Sequence, residues 1–187
     1  VDTSQPAVMR AALDLGVDIV NDVRALQRPG ALEAVAAHST AGVCLMHMQG
    51  EPGTMQKAPH YDDVVLDVAA FLARRRDAAL VAGIGFDRIV LDPGIGFGKS
   101  VDHNLALLAR QRELVSLGLP LLVGWSRKTT LGTLTGRSVD QRLHASVAAA
   151  LIAVERGARI VRVHDVAATV DALKVWCATI APEERTP

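Results

Sequence analysis

The sequence predicts an α/β fold of parallel βα units, and three observations carry that prediction. Six short β-branched runs alternate with six longer stretches of helical periodicity. The runs are almost continuously apolar, as strands covered on both faces must be. Every run ends in polar side chains, whereas the helical stretches carry far fewer distinctive ones, so the polar residues collect at the carboxyl end of the sheet. That is where α/β proteins of both the doubly wound and the barrel kind hold their ligands.

The elements follow in order. Residues 1–3 read as a strand ending near Asp2, and a helix over 6–16 follows, with Ser4 and Pro6 suited to its start and Gly16 to its end. "DIVNDV" (18–23) is the second strand and delivers Asn21 and Asp22 ahead of a helix over 30–38. "GVCLMHM" (42–48) delivers Met46 and His47 into the loop "QGEPGTMQK", and the helix over 61–83 stops at Gly83. "RIVLD" (88–92) ends at Asp92 and the loop "PGIGFGKS"; Asp102 is placed to cap a helix over 102–117, with Gly118 after it. "PLLVG" (120–124) runs into "GWSRKTT", and a helix over 139–157 ends at Gly157. "RIVRVHD" (159–165) brings Arg162, His164 and Asp165 before a last helix over 167–180.

Composition narrows the function classes. The chain has 187 residues, half of them hydrophobic, which suits one core and argues against disorder. Twenty basic and 20 acidic residues balance, so nothing favours a nucleic-acid or membrane-surface binder. Cys44 and Cys177 lie in apolar contexts without metal or disulfide spacing and read as reduced thiols of a cytoplasmic protein. No apolar run reaches the ~18 residues that span a bilayer, and no linker, low-complexity segment or second domain interrupts the chain.

Two phosphate-loop readings of "LDPGIGFGKS" fail on spacing. A Walker loop ending in Gly98-Lys99 requires glycine at 93, which is Pro93; a dinucleotide fingerprint from Gly94 and Gly96 requires glycine at 99, which is Lys99. Attention passes to Asp92. Alternation puts Val90 and Asp92 on one strand face, and a carboxylate there is costly unless paired. It can pair with a lysine such as Lys128, cap its own turn, or accept two parallel N–H groups from a guanine-like or pterin-like ring. Asn21 offers a donor and an acceptor to a neighbouring ring position. Of only four lysines, Lys99 and Lys128 fall in strand-end loops. Arg162 and His164, two residues apart, form an anion site whose guanidinium suits phosphate oxygens; the plain alternative is an ion pair with Asp165 or another carboxylate. His47 reads first as a satisfied core histidine. No zinc spacing and no Gly-x-Ser-x-Gly elbow occur. The residues alone therefore describe a planar, nitrogen-rich ring near Asp92, Asn21 and Lys128, an anion near Arg162 and His164, and transfer at a carbon bearing a phosphate leaving group.

Six segments in order, "VDTSQPAVMRAALDLGVDIVNDV", "LMHMQGEPGTMQ", "LDPGIGFGKS", "NLALLA", "GWSRKTTLGTLTGR" and "VRVHDV", resemble the dihydropteroate synthase family along the whole chain. The resemblance implies a (β/α)8 TIM barrel, here lacking its first two βα units and so showing six parallel strands in one domain over 1–187. It implies condensation of 6-hydroxymethyl-7,8-dihydropterin pyrophosphate with p-aminobenzoate in folate biosynthesis, with release of pyrophosphate, at a site that sulfonamides contest. By resemblance, Asp2, Asn21, Asp92 and Lys128 hold the pterin, with Val23, Met46, Phe97 and Gly124 around it; Arg162 and His164 take the pyrophosphate; Ser126 and Lys128 border the aminobenzoate. Lys128, Asp92, Arg162 and His164 are the catalytic set.

The family's opening Asn-x-Thr-Pro-Asp-Ser-Phe-Ser type segment and the strand and mobile loop after it have no counterpart here. The expectation is a piece of a longer protein, inactive or weak by itself. Mg2+ is the implied cofactor, with its protein ligand in the missing segment and none in this chain, and a homodimer the implied assembly. A methyltetrahydrofolate-dependent methyltransferase of related barrel fold is the alternative enzyme, disfavoured because methyl transfer gives "SRK" and "RVHDV" no pyrophosphate to hold. A non-catalytic barrel fragment is the alternative of another class, and loss of pterin binding would mark it.

Overall fold

The computed structural model describes residues 1–50, 53, 55 and 58–180. Part of the "QGEPGTMQK" loop (Glu51, Pro52, Thr54, Gln56 and Lys57) thus lies outside the described residues. The order is α1 (Pro6–Asp14), β1 (Ile19–Asp22), α2 (Ala31–Ala36), β2 (Gly42–Met46), α3 (Val64–Val81), β3 (Ile89–Asp92), α4 (Val101–Ala109), α5 (Gln111–Val115), β4 (Leu122–Val123), α6 (Thr129–Thr135), α7 (Leu143–Glu155), β5 (Ile160–Val161) and α8 (Val166–Thr179). Among the described residues no helix is long and apolar enough to cross a membrane.

All pairings are parallel. β1, β2 and β3 form one sheet in chain order, and β4 pairs with β5. Two single bridges, Asp2 with Asn21 and Leu91 with Leu121, join these into one run from the first segment to the last. Alternation sorts the two faces. Val20, Val43, Leu45, Ile89, Leu91, Leu121 and Val123 point outward and pack with Met9, Leu13, Val68, Leu72, Leu107, Leu114 and Ala153 of the helices. Burying each such valine or leucine contributes about 1.5–3 kcal/mol. The other face carries Asn21, Cys44, Met46, Val90 and Asp92, set level by the register Asp2–Asn21–Cys44–Val90 and Met46–Asp92.

The sheet curls about this second face. Six flat parallel segments at about 4.8 Å spacing would set the first and last about 24 Å apart, beyond the reach of two side chains. Yet Arg162, just past β5, lies 3.5 Å from the Asp2 carboxylate. Among the described residues the first and last segments share no backbone hydrogen bond, so the curl does not close into a barrel.

Several predicted elements change. The strand at 1–3 is reduced to one bridge, and those at 120–124 and 159–165 to two residues each. The helix over 102–117 breaks at Arg110, and the one over 139–157 begins as a 3-10 turn. Helix α6 was not predicted: its sequence, TTLGTLT, is poor in helix formers. Pro6 opens α1 as expected, but Ser4 gives its hydroxyl to Asp22 instead of capping. Asp102 does not cap α4; Ser100 does, accepting the His103 N–H while the His103 ring accepts the Ser100 N–H. Gly83 and Gly157 follow their helices with positive φ, as predicted.

Candidate active site at the strand ends

The residues at the carboxyl ends of the strands divide into a ring end, about Asp92 and Asn21, and an anion end, about Arg162 and His164, with the Arg162 and Lys128 charges reaching Asp92. At the ring end Asp92 is 2% exposed. Its Oδ1 accepts the Gly94 N–H at 2.7 Å, so the turn-cap reading of this residue is realised. Among the described residues nothing else donates to it and no cation lies within ion-pair distance; the pairing with Lys128 is not formed. The carboxylate keeps unused acceptor capacity. Burial pushes its pKa up, against the Gly94 N–H and the charges of Arg162, Lys99 and Lys128, which favour the ionised form. Asn21, on the same face, donates from Nδ2 to Asp2 at 3.0 Å, and among the described residues nothing donates to its side-chain oxygen.

Lys128 stands with Nζ 4.5 Å from the centre of the Phe97 ring. This cation–π placement contributes about 0.5–2 kcal/mol. Burial lowers its pKa, with Asp92 opposing and Arg162 reinforcing the shift. Gly96 packs against Lys128: at that position, where φ is +80°, a Cβ would come within 3.2 Å of the lysine chain and push it aside by a few tenths of an ångström. Phe97 is half-buried at this end and Met46 wholly buried with no open surface, whereas Val23, also half-buried, lines another cavity with His47 and Phe71.

At the anion end a cavity of about 270 Å³ is lined by Gly124, Ser126, Lys128, Arg162, Val163 and His164. Arg162 is nearly half exposed and 3.5 Å from Asp2. The ion pair expected as its alternative exists, but with Asp2; Asp165 instead takes both arms of Arg127, at 2.7 and 3.2 Å. His164 bonds Ser126 Oγ through its backbone N–H at 3.1 Å and its ring Nδ1 at 2.9 Å. Asp2 thus touches both ends, bonded to Asn21 on one side and facing Arg162 on the other.

A wider cavity of about 520 Å³ is also lined by Lys128, together with Gly96, Lys99, Ser100, Asn104 and Thr130. A third, of about 450 Å³, lies by Val23, Gln27, His47, Met48, Gln49 and Phe71. Sequence reasoning missed the supports of the site. Arg127, with φ of +59°, is held by Ser146 and Asp165 and thereby fixes the loop carrying Ser126 and Lys128 against the loop carrying His164. A carbonyl bond from Arg142 adds to it. The one signal was the run "SRK", read for Ser126 and Lys128 but not for the arginine between them. His47 is buried and bonded, as its core reading had it, and Lys99 points into the glycine loop.

The profile of a family described as pterin binding enzyme matches residues 1–164. The dihydropteroate synthase of Haemophilus influenzae is 53% identical over 179 residues, 96% of this chain and 65% of that protein. The chain thus spans just under two thirds of the length of that curated relative. The crystal structure of dihydropteroate synthase from Stenotrophomonas maltophilia superposes with a TM-score of 0.93 at 56% identity, covering 97% of this chain and 68% of that one. That of Xanthomonas albilineans in complex with 7,8-dihydropteroate superposes with a TM-score of 0.89 at 52% identity, covering 96% and 68%.

Proposed function

The chain belongs to the pterin binding enzyme family, and from that premise we propose that it carries the strand-end site of a dihydropteroate synthase. The reaction would join 6-hydroxymethyl-7,8-dihydropterin pyrophosphate to p-aminobenzoate, forming dihydropteroate and pyrophosphate. One observation carries this reading: a buried aspartate with unused acceptor capacity stands within electrostatic reach of an arginine that lines an open cavity with His164, the two groups that the two ends of such a substrate need. The dihydropteroate bound to the Xanthomonas albilineans enzyme agrees with it.

In this reading Asp92 accepts two N–H groups of the pterin edge, each such charge-assisted bond contributing about 1.5–3 kcal/mol. Asn21, held by Asp2, reads the next ring position. Val23, Phe97 and Gly124 wall the ring, with Met46 as a buried floor beneath. Arg162 and His164 bind the pyrophosphate and neutralise the charge that grows as the carbon–oxygen bond breaks. The electron-rich ring stabilises the methylene cation left behind. The aminobenzoate nitrogen, beside Ser126 and Lys128, then forms the new bond and loses its proton. No covalent intermediate with the protein is required, and catalysis is positioning plus electrostatics.

The complete fold is proposed as the (β/α)8 barrel, of which the curled, chain-ordered parallel sheet supports six strands. Mg2+ is proposed as a companion of the pyrophosphate; among the described residues no three acidic, histidine or cysteine side chains gather to hold it, and no step above depends on it. A homodimer is proposed on the apolar cavity between α7 and α8, lined by Leu143, Val147, Leu151 and Ala168. The function is tested by following pyrophosphate with both substrates present. The expected result is release, weak where this chain acts alone, that requires p-aminobenzoate and yields dihydropteroate; release without that requirement overturns the reading, and methyl transfer in its place would favour the methyltransferase.

A further inference from the structure

Lys99 borders the 520 Å³ cavity but is only 3% exposed, and its Nζ is bonded within the glycine loop. It has three N–H groups and spends them on the Gly94 carbonyl at 3.0 Å, the Phe97 carbonyl at 3.0 Å and His47 Nδ1 at 2.9 Å, with the His47 carbonyl at 3.5 Å. Among the described residues no carboxylate lies within ion-pair distance of it. Burial pushes its pKa down to about 7, with the Asp92 charge opposing, and burying so polar a group is costly, so its placement calls for a compensating role.

The loop supplies one. Its carbonyls need donors: Lys99 donates to that of Phe97 and to that of Gly94, which also accepts the Phe97 N–H at 3.0 Å, and Tyr61 Oη donates to that of Gly98 at 2.8 Å. Gly94 is jammed against the end of β2, where a Cβ would come 1.9 Å from the His47 carbonyl oxygen. The same residue bonds both charges, receiving the Lys99 ammonium at its carbonyl and giving its N–H to Asp92. Phe97, held by its own carbonyl, is the ring over which Lys128 stands.

We propose that Lys99 is the positioning residue of the pterin end: it clamps the glycine loop to the end of β2 and so fixes the Asp92 carboxylate and the Phe97 wall. This rests on the function proposed above. Its charge also acts through space to favour the ionised form of Asp92.

The test measures binding by calorimetry with two probes, phosphate-free 6-hydroxymethylpterin and inorganic pyrophosphate, on the parent, Lys99→Met and Lys99→Gln. Lys99→Met is expected to bind the pterin at least tenfold more weakly while pyrophosphate affinity stays within twofold. Lys99→Gln keeps two N–H donors without the charge and should fall between; it decides the matter if the methionine variant does not fold. A role confined to stability would weaken both probes together, and that outcome overturns the proposal. So does a folded variant with parent-like pterin affinity. A parent that binds no pterin sinks the proposed function and this inference with it, whereas a binding parent matched by its variants sinks this inference alone.

Discussion

His47 is buried with its Nδ1 facing the Lys99 ammonium, and both conditions oppose a second proton on the ring. Burial, then the Lys99 charge, lowers its pKa from 6.5 to about 3. Between those values the unfolded chain binds a proton that the folded chain refuses, so stability falls as pH drops through 6.5 toward 3, with a slope of up to about 1.4 kcal/mol per pH unit. Urea unfolding at pH 7, 6, 5 and 4 should show this acid limb, and His47→Gln should flatten it; an unchanged slope in the variant removes His47 as its source. At this scale the sequence was readable wherever a residue's position on a strand decides its direction. Val90 and Asp92 share a face by alternation alone. Lys99 was not readable, because its partners are loop carbonyls and a histidine from another strand, brought together only by the folded loop.

Helix α4 separates two capping residues that stand two positions apart. Ser100 makes the reciprocal bonds with His103, while Asp102 sits exposed in the first turn and acts only through the helix dipole. Ser100→Ala should therefore lower stability by about 1 kcal/mol. Asp102→Ala should cost less, roughly 0.3 kcal/mol, and its cost should fade with added salt. Denaturation midpoints of the two variants in low and high salt decide this, and the reverse ranking would restore Asp102 as the cap. Both residues are good caps, so composition could not choose between them; the path of the glycine loop into the helix did. Long amphipathic helices were legible with their glycine stops. α6 was not, since its threonines and glycine disfavour a helix and it is held by packing, with Leu131 buried and Thr130 bonded to Asn104. The short β4 and β5 were overextended because apolar strand sequence continues past the last backbone pairing.

The molecule as a whole was legible as parallel βα units with one polar end, and its curl was not, since curvature arises from sheet twist summed over strands and from helices packing on one face. The Asp2–Arg162 pair spans that curl, and two accounts of it differ in magnitude. If the pair draws the ends together, breaking it should cost several kcal/mol. If the outer core of Val20, Leu45, Leu91 and Val123 against the helices sets the curl, the pair is a consequence and contributes little. Geometry favours the second account: the two groups are 3.5 Å apart and their side chains 46% and 58% exposed, so solvent screens them. Exposed pairs of this kind are worth about 0.2–1 kcal/mol. A double-mutant cycle with Asp2→Asn and Arg162→Ala, read by chemical denaturation, should give a coupling energy below about 1 kcal/mol. A coupling above about 3 kcal/mol would make the pair a structural tie. A weak coupling fits the site's chemistry, because an arginine held only loosely by Asp2 remains able to turn its guanidinium toward a pyrophosphate.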